Sequence, residues 1–333
     1  MKAVVVKAPG GLDQLTIKDV PEPEVPEGHV LLEVAWGACN WGDIQKRQGI
    51  YPDPVSYPAI LGGEVSGRIL KRGKRVKKFA VDQSVVAITG KDMLRGFAQK
   101  VVVPQEFLMP LPATLDLRSA AAYPVVSLTA YHLLNTATKV KPGDTILVQA
   151  VGGAVGLALA QLARHAGARV IGTVGTLEKA RTALEFGVER VVARDSEDFV
   201  DVAMEVTEGK GVDLVIDSLG ADILPKSFDA LRPFGRVINI GEAAGEPDFE
   251  IRKKLYERSS SLAGFEMIHA GPGSRRWRAS VRKIVQSIET GRLMIPIAGE
   301  YPMDRIKEAH AFLESRAASG KLLIEVGGMD ANG

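Results

Sequence analysis

The sequence predicts an α/β protein of two domains, one built on a doubly wound parallel sheet and the other rich in short strands. Three observations carry this. The texture changes near residue 118, apolar strands then alternate with amphipathic helices, and a glycine turn joins the first of those strands to its helix. At 333 residues, the chain is too long for one ordinary core and comfortable as two.

The first region is β-rich. Short runs such as VLLEVAW, SVVAITG and AQKVVVP are punctuated by PEPEVPEG and YPDPVSYP. That texture predicts a compact barrel or sandwich with long loops. Next come TILVQA, an Ala- and Leu-rich helix, RVIGTV, LEKARTALEFG, RVVA, a helix over SEDFVDVAMEVTEG, VDLVIDS, a further helix, GRVINI and SLAGF. This reads as βαβ units, with six strands buried on both faces. Two helix patterns and a last strand, KLLIEV, follow Phe265 without another βαβ unit, so this segment is expected to return to the first domain. The boundaries expected are 1–122, 123–265 and 266–333.

Composition narrows the function classes. Hydrophobic residues make up 46% and charged residues 25%, with net charge +2, which favours neither nucleic acid nor anionic membrane as a partner. The opening MKAVVVKAPGG is too short an apolar run for a signal segment or a membrane span, so a soluble, cytoplasmic protein is expected. Cys39 is the only cysteine, which excludes an internal disulfide and a multi-thiolate metal site. The histidines (His29, His132, His165, His269, His310) show no ligand spacing and read as surface or packing residues. KRGKRVKK, residues 71–78, reads as a solvated turn, since no aromatic interleaves to stack bases. Arg275, Arg276, Arg278, Arg282 and Lys283 likewise read as the solvated face of a helix.

The most informative stretch is TILVQAVGGAVGLALAQLARHAGARVIGTVGT. A strand is expected to end at Ala150 and a helix to begin near Val155. Gly152, Gly153, Ala154, Val155 and Gly156 form the turn between them. Gly153 lets the backbone approach a pyrophosphate, and Gly156 lets the helix pack on the strand. The free N–H groups and the helix dipole then face the phosphates. The fingerprint of a Rossmann domain has glycine where this chain has Val151. The second strand ends in Thr173-Val174-Gly175-Thr176, with no acid to bind a ribose 2′-OH. Lys179 and Arg194 follow, and Gly175 and Thr176 leave room for a 2′-phosphate that these two cations would pair with. The cofactor expected is therefore NADPH, with Lys179 the principal contact.

Taken together, GACNWGDIQKRQGIYP, LGGEVSG, VVSLTAYHLL, the glycine turn, GTVGTLEKA, DSLG and SRAASGKLLIEV resemble the zinc-free quinone oxidoreductase branch of the medium-chain dehydrogenase/reductase superfamily. The resemblance implies a GroES-like catalytic domain made from both ends of the chain, a Rossmann domain between them, NADPH and a homodimer. It implies that Asn40, Tyr51 and Thr129 surround the nicotinamide and the substrate. Leu219, Ile240, Gly241, Phe265 and Lys321 complete the expected cofactor contacts. Zinc-dependent relatives carry a cysteine where this chain has Asn40 and a His-Glu pair where it has Gly63-Glu64, so no metal is expected. Without a Lewis acid the acceptor should take hydride readily, as a quinone or an activated enone does. Asn40 would donate to a developing oxyanion, Tyr51 would relay a proton, and Thr129 would bond the nicotinamide carboxamide. An enoyl or enone reductase is the alternative within the family. An NADPH-binding sensor or structural protein is the alternative from another class.

Overall fold

The computed structural model describes residues 1–327. The chain divides into two compact units, one of Met1–Val126, Gly271–Glu289 and the segment from Ile295, the other of Ser127–Ala270 and Thr290–Met294.

In chain order the first part holds β1 (Lys2–Val6), β2 (Leu15–Asp19), β3 (His29–Cys39), α1 (Trp41–Gln48), β4 (Ala59–Ile60), β5 (Glu64–Arg72), β6 (Ser84–Ile88), β7 (Lys100–Pro104), β8 (Leu108–Pro110) and α2 (Leu117–Ala120). Helix α3 (Pro124–His132) carries the chain into the second unit. There follow β9 (Thr145–Val148), α4 (Ala154–His165), β10 (Arg169–Val174), α5 (Ala180–Glu185), β11 (Arg190–Ala193), α6 (Phe199–Val206), β12 (Val212–Asp217), α7 (Ile223–Ser227), β13 (Leu231–Asn239), α8 (Ile251–Glu257) and β14 (Ser261–Gly264). The return segment supplies α9 (Arg275–Glu289), β15 (Ile297–Pro302), α10 (Ile306–Glu314) and β16 (Lys321–Glu325).

The second unit has the predicted parallel sheet, in the order β11-β10-β9-β12-β13-β14. The chain winds outward from β9 in both directions, so the C-terminal ends of β9 and β12 flank the point where the order reverses, the usual place for a ligand. Strand β9 is buried along its whole length, and Leu147, Ile171, Val192, Phe199, Val215 and Phe228 pack into one core beneath it. Helix α6 starts later than its apolar pattern suggests, because Asp198 caps it by accepting from the Val200 N–H.

In the first unit β3 is the hub. It pairs antiparallel with β5, β7 and β16, with Leu322 opposite Cys39 and Val65 opposite Gly37. The strand of KLLIEV, β16, thus pairs with β3. The outer face of α9 leaves Arg275, Arg276, Arg278, Arg282 and Lys283 exposed while Trp277, Val281, Ile284 and Ile288 are buried. The Lys71–Lys78 segment is tied to acids, with Lys71 near Glu22 at 3.6 Å and Arg75 paired to Glu27. Among the described residues no helix is long and apolar enough to cross a membrane.

Two of the five histidines are buried. His132 Nδ1 lies 2.9 Å from Thr136 Oγ1. His310 Nδ1 lies 3.4 Å from Arg47 Nη1, and burial, reinforced by the arginine charge, holds the imidazole pKa down at about 3. Arg47 itself grips Glu314 in a bidentate pair at 3.0 and 2.6 Å.

Candidate active site

The second unit contributes the glycine turn. Strand β9 stops at Val148 rather than Ala150, because Ala150 takes a left-handed φ of 54° and turns the chain out of the sheet. Helix α4 begins at Ala154 with extended Gly153 as its N-cap, so no side chain competes for the amides of the first turn. Val151 is fully buried. A Cβ on Gly156 would lie 2.5 Å from the Val151 carbonyl oxygen, and a Cβ on Gly172 of β10 only 2.3 Å from Val151 Cγ1. The departure from the glycine fingerprint is thus accommodated across the sheet, since Gly172 has no side chain where Val151 packs.

That close packing yields a direct test. Gly172→Ala should destabilise the protein by about 1–3 kcal/mol through overpacking. Combining it with Val151→Ala should cost clearly less than the sum of the two single changes, as read by urea unfolding of all four species. Strict additivity would refute the pairing.

The end of β10 is open. Gly175 and Thr176 are exposed, and Arg194, directly after β11, brings Nη2 to 3.9 Å from where a Gly175 Cβ would stand. Arg194 Nη1 donates to Thr173 Oγ1 at 2.7 Å. Lys179 ends a single 3-10 turn, Leu177–Lys179, and is half-buried. Leu219, Ile240, Gly241 and Phe265 follow the ends of β12, β13 and β14. Leu219 N–H donates to Asp217 Oδ1 at 3.0 Å, Ile240 N–H to the Asp217 carbonyl at 2.8 Å, and Phe265 N–H to the Asn239 carbonyl at 3.0 Å. Burial pushes the Asp217 carboxyl up, opposed by the N–H groups of Gly220 and Leu219. Residues 152–156, 175, 176, 194, 219, 240, 241 and 265 therefore all border the C-terminal ends of one parallel sheet. They fit a dinucleotide with an anionic 2′ substituent. Thr129 lies on α3, half-buried, in the same unit.

The first unit holds a buried polar cluster. Asn40 links β3 to α1, and its own N–H donates to Asp43 Oδ2 at 2.8 Å. Its Oδ1 accepts from Lys321 Nζ at 2.6 Å, and its Nδ2 donates to Glu64 Oε1 at 3.0 Å, with a longer contact of 3.4 Å to the Ala38 carbonyl. Lys321 and Glu64 form an ion pair at 2.5 Å with side chains 4% and 0% exposed. Glu64 Oε2 also accepts the Val125 N–H at 2.8 Å. The amide donors expected to face an oxyanion are thus engaged by Glu64 and Ala38, and Lys321, expected as a cofactor contact, is buried against Asn40. Three strand ends cause this, because β3 lies between β5, which opens with Glu64, and β16, which opens with Lys321.

Around this cluster burial pushes the Asp43 carboxyl up, opposed first by the Lys46 charge and then by the Asn40 and Gly62 N–H groups. The Cys39 thiol is pushed well up by burial and by the neighbouring carboxylates, which leaves it protonated and inert. Tyr51 stands against the first turn of α1, where a Cβ on Gly42 would lie 3.2 Å from its ring. Lys46 Nζ stands 4.5 Å from its ring centroid and donates to the carbonyls of Asp92 and Met93 at 2.6 and 3.0 Å. Tyr51, Asp53, Leu94 and Lys46 help to line a hollow of about 210 Å³. Among the described residues no three His, Cys, Asp or Glu side chains converge as a metal site.

Glu64, Asp43, Lys46 and Thr173 were not singled out as site residues from sequence. The available signal for the ion pair was one acid opening the apolar strand EVSG and one base opening KLLIEV.

Two family models match the chain. The alcohol dehydrogenase GroES-like domain covers residues 26–113, and the zinc-binding dehydrogenase model covers residues 154–286, a range that excludes Asn40, Gly63 and Glu64. The chain is 34% identical to a probable quinone oxidoreductase of Schizosaccharomyces pombe, over 95% of this chain and 94% of that one. It is 32% identical to a 2-haloacrylate reductase of a Burkholderia species, over 97% and 98%. The crystal structure of Escherichia coli quinone oxidoreductase complexed with NADPH superposes with a TM-score of 0.92 at 29% identity, covering 98% of this chain and 100% of that one.

Proposed function

Because the chain belongs to the medium-chain dehydrogenase/reductase superfamily and is an oxidoreductase, we propose that it transfers hydride from NADPH to a quinone without a metal, in the cytoplasm. The observation that carries this reading is the acid-free end of β10, where Arg194 stands beside exposed Gly175. A carboxylate there would bind the 2′-OH of NAD, whereas a guanidinium matches a 2′-phosphate. The NADPH-bound Escherichia coli relative supports the same choice.

When bound, the cofactor supplies the hydride. Gly152, Gly153, Ala154, Val155 and Gly156 hold the pyrophosphate. Gly175, Thr176, Lys179 and Arg194 hold the 2′-phosphate, and Leu219, Ile240, Gly241 and Phe265 line the dinucleotide. Thr129 orients the carboxamide. Asn40, oriented by Lys321 and Glu64, and Tyr51 border the acceptor. By the resemblance, Asn40 and Gly63 stand at the ligand positions of zinc-dependent relatives, and the Lys321 ammonium on Asn40 Oδ1 disfavours a second cation there.

A second reading, reduction of a conjugated carbonyl such as an acrylate, is favoured by the likeness to 2-haloacrylate reductase. Quinones and acrylates share an alkene polarised by a carbonyl, so one geometry can serve both. Steady-state NADPH oxidation with a panel of quinones, 2-haloacrylates, enones and enoyl thioesters, with and without chelator, separates the readings. Quinones should turn over fastest and the chelator should leave the rate intact. Exclusive turnover of an acrylate or thioester would favour the second reading, and tight NADPH binding without turnover would indicate a sensor.

The unit is also proposed to dimerise through β14. This strand ends the six-strand order, with Ala263 and Gly264 exposed. Beside it Phe234 and Tyr256 stand 76% and 75% exposed, and the Phe234 N–H bonds the Arg258 carbonyl just ahead of the strand. Antiparallel pairing of two such edges about a two-fold axis would close the edge and cover the aromatic rings. Light scattering at micromolar concentration should find a dimer, and Ala263→Lys should shift it toward monomer. A monomeric parent protein contradicts the proposal.

A further inference from the structure

Thr173 sits at the junction of the two phosphate subsites and is itself fully buried. Its hydroxyl accepts from Arg194 Nη1 at 2.7 Å and from the Ala150 N–H, in the glycine turn, at 3.2 Å. It donates to Gln149 Oε1 at 2.6 Å. One donor and two acceptor positions are thereby all used. Gln149 is fixed in turn, because its Nε2 donates to Ser227 Oγ at 3.1 Å and Ser227 donates to the Ile223 carbonyl at 2.9 Å. The shorter Ser227 contact ends this chain on the backbone of α7, and Ser227 Oγ also lies 3.5 Å from Asp217 Oδ2.

We propose that Thr173 is a specificity-determining positioning residue, whose hydroxyl holds the Arg194 guanidinium beside Gly175 so that it meets a 2′-phosphate preorganised. The proposal rests on the reading of the cofactor as NADPH. An arginine side chain in water samples many rotamers and loses that freedom on gripping a ligand. Here the loss is met on folding. The Arg194 backbone is set as well, since its N–H donates to the Val174 carbonyl at 3.0 Å. Thr173 never touches the phosphate in this account. It acts through Arg194, and its effect must vanish when Arg194 is removed.

The test is a calorimetric titration of NADPH and NADH against the parent protein, Thr173→Val, Thr173→Ser, Arg194→Ala and the Thr173→Val/Arg194→Ala double variant. Thr173→Val keeps the branched shape and removes the hydroxyl. It should weaken NADPH about fivefold to tenfold while leaving NADH within about twofold. Thr173→Ser, which restores the hydroxyl, should bind NADPH within about twofold of the parent. The double variant should be no weaker for NADPH than Arg194→Ala alone. Should valine prevent folding, Thr173→Ala carries the same expectation. Equal losses for both cofactors would mean that Thr173 shapes only the glycine turn, and the proposal would fall. Unchanged NADPH affinity, or additive losses in the double variant, would overturn it too. A parent protein that prefers NADH would sink the NADPH reading itself, whereas an NADPH-preferring parent with an indifferent Thr173→Val sinks only the role of Thr173.

Discussion

Lys321→Met is expected to lower the unfolding free energy by about 3–5 kcal/mol, the usual cost of stranding one member of a buried ion pair. The member left behind is Glu64, fully buried, which among the described residues then keeps the Val125 N–H and the Asn40 amide as donors. The lysine ammonium also loses its place on Asn40 Oδ1, so the amide is freed to rotate. Removing both charges is a different matter. Glu64→Leu with Lys321→Met deletes the desolvation cost together with the attraction, and most of the lost stability should return. Turnover should not return with it, because neither apolar replacement orients Asn40. Urea unfolding of the two single variants and the double variant, beside their rates of NADPH oxidation, separates the two effects. A Lys321→Met protein as stable as its parent would show that the pair contributes nothing to the fold. Full activity in the stable double variant would show that the pair has no part in positioning Asn40.

Arg194→Ala should weaken NADPH by roughly ten- to a hundredfold, the loss of one charge-assisted bond to a phosphate, and leave NADH within about twofold. Lys179→Ala should act in the same direction, from the 3-10 turn that follows Gly175 and Thr176. The contrast between cofactors is the informative quantity, because a variant that merely loosens the sheet would weaken both. Raising ionic strength should also reduce NADPH affinity more than NADH affinity, since Gly175 and Thr176 leave the site open to solvent. Equal losses for NADPH and NADH in both variants would assign Lys179 and Arg194 to the fold or to the shared pyrophosphate.

The parallel sheet was legible because its strands are apolar on both faces and its helices carry a regular stripe, patterns that depend only on near neighbours. The glycine turn was legible for the same reason. Val151 was not, since its tolerance depends on Gly172 one strand away, and no local rule connects the two. The Asn40 cluster lay further out of reach. Asn40 and Lys321 stand 281 residues apart and meet only because β16 pairs with β3. The sequence reading assigned Asn40 a donor role from resemblance, while the direction of its amide depends on that distant lysine. Arg194 was recognised as a cation near the second strand, yet the residue that aims it, Thr173, looked like one more small side chain. Element ends were read within a few residues, and misplaced where Asp198 set the start of α6 by a hydrogen bond or Ala150 set the end of β9 by a left-handed φ.

Selectivity for NADPH at the end of β10 is checked by titrating NADPH and NADH into the unmodified protein under identical ionic strength. NADPH should bind at least about tenfold tighter, as one added charge-assisted phosphate contact requires. Tighter binding of NADH would contradict it.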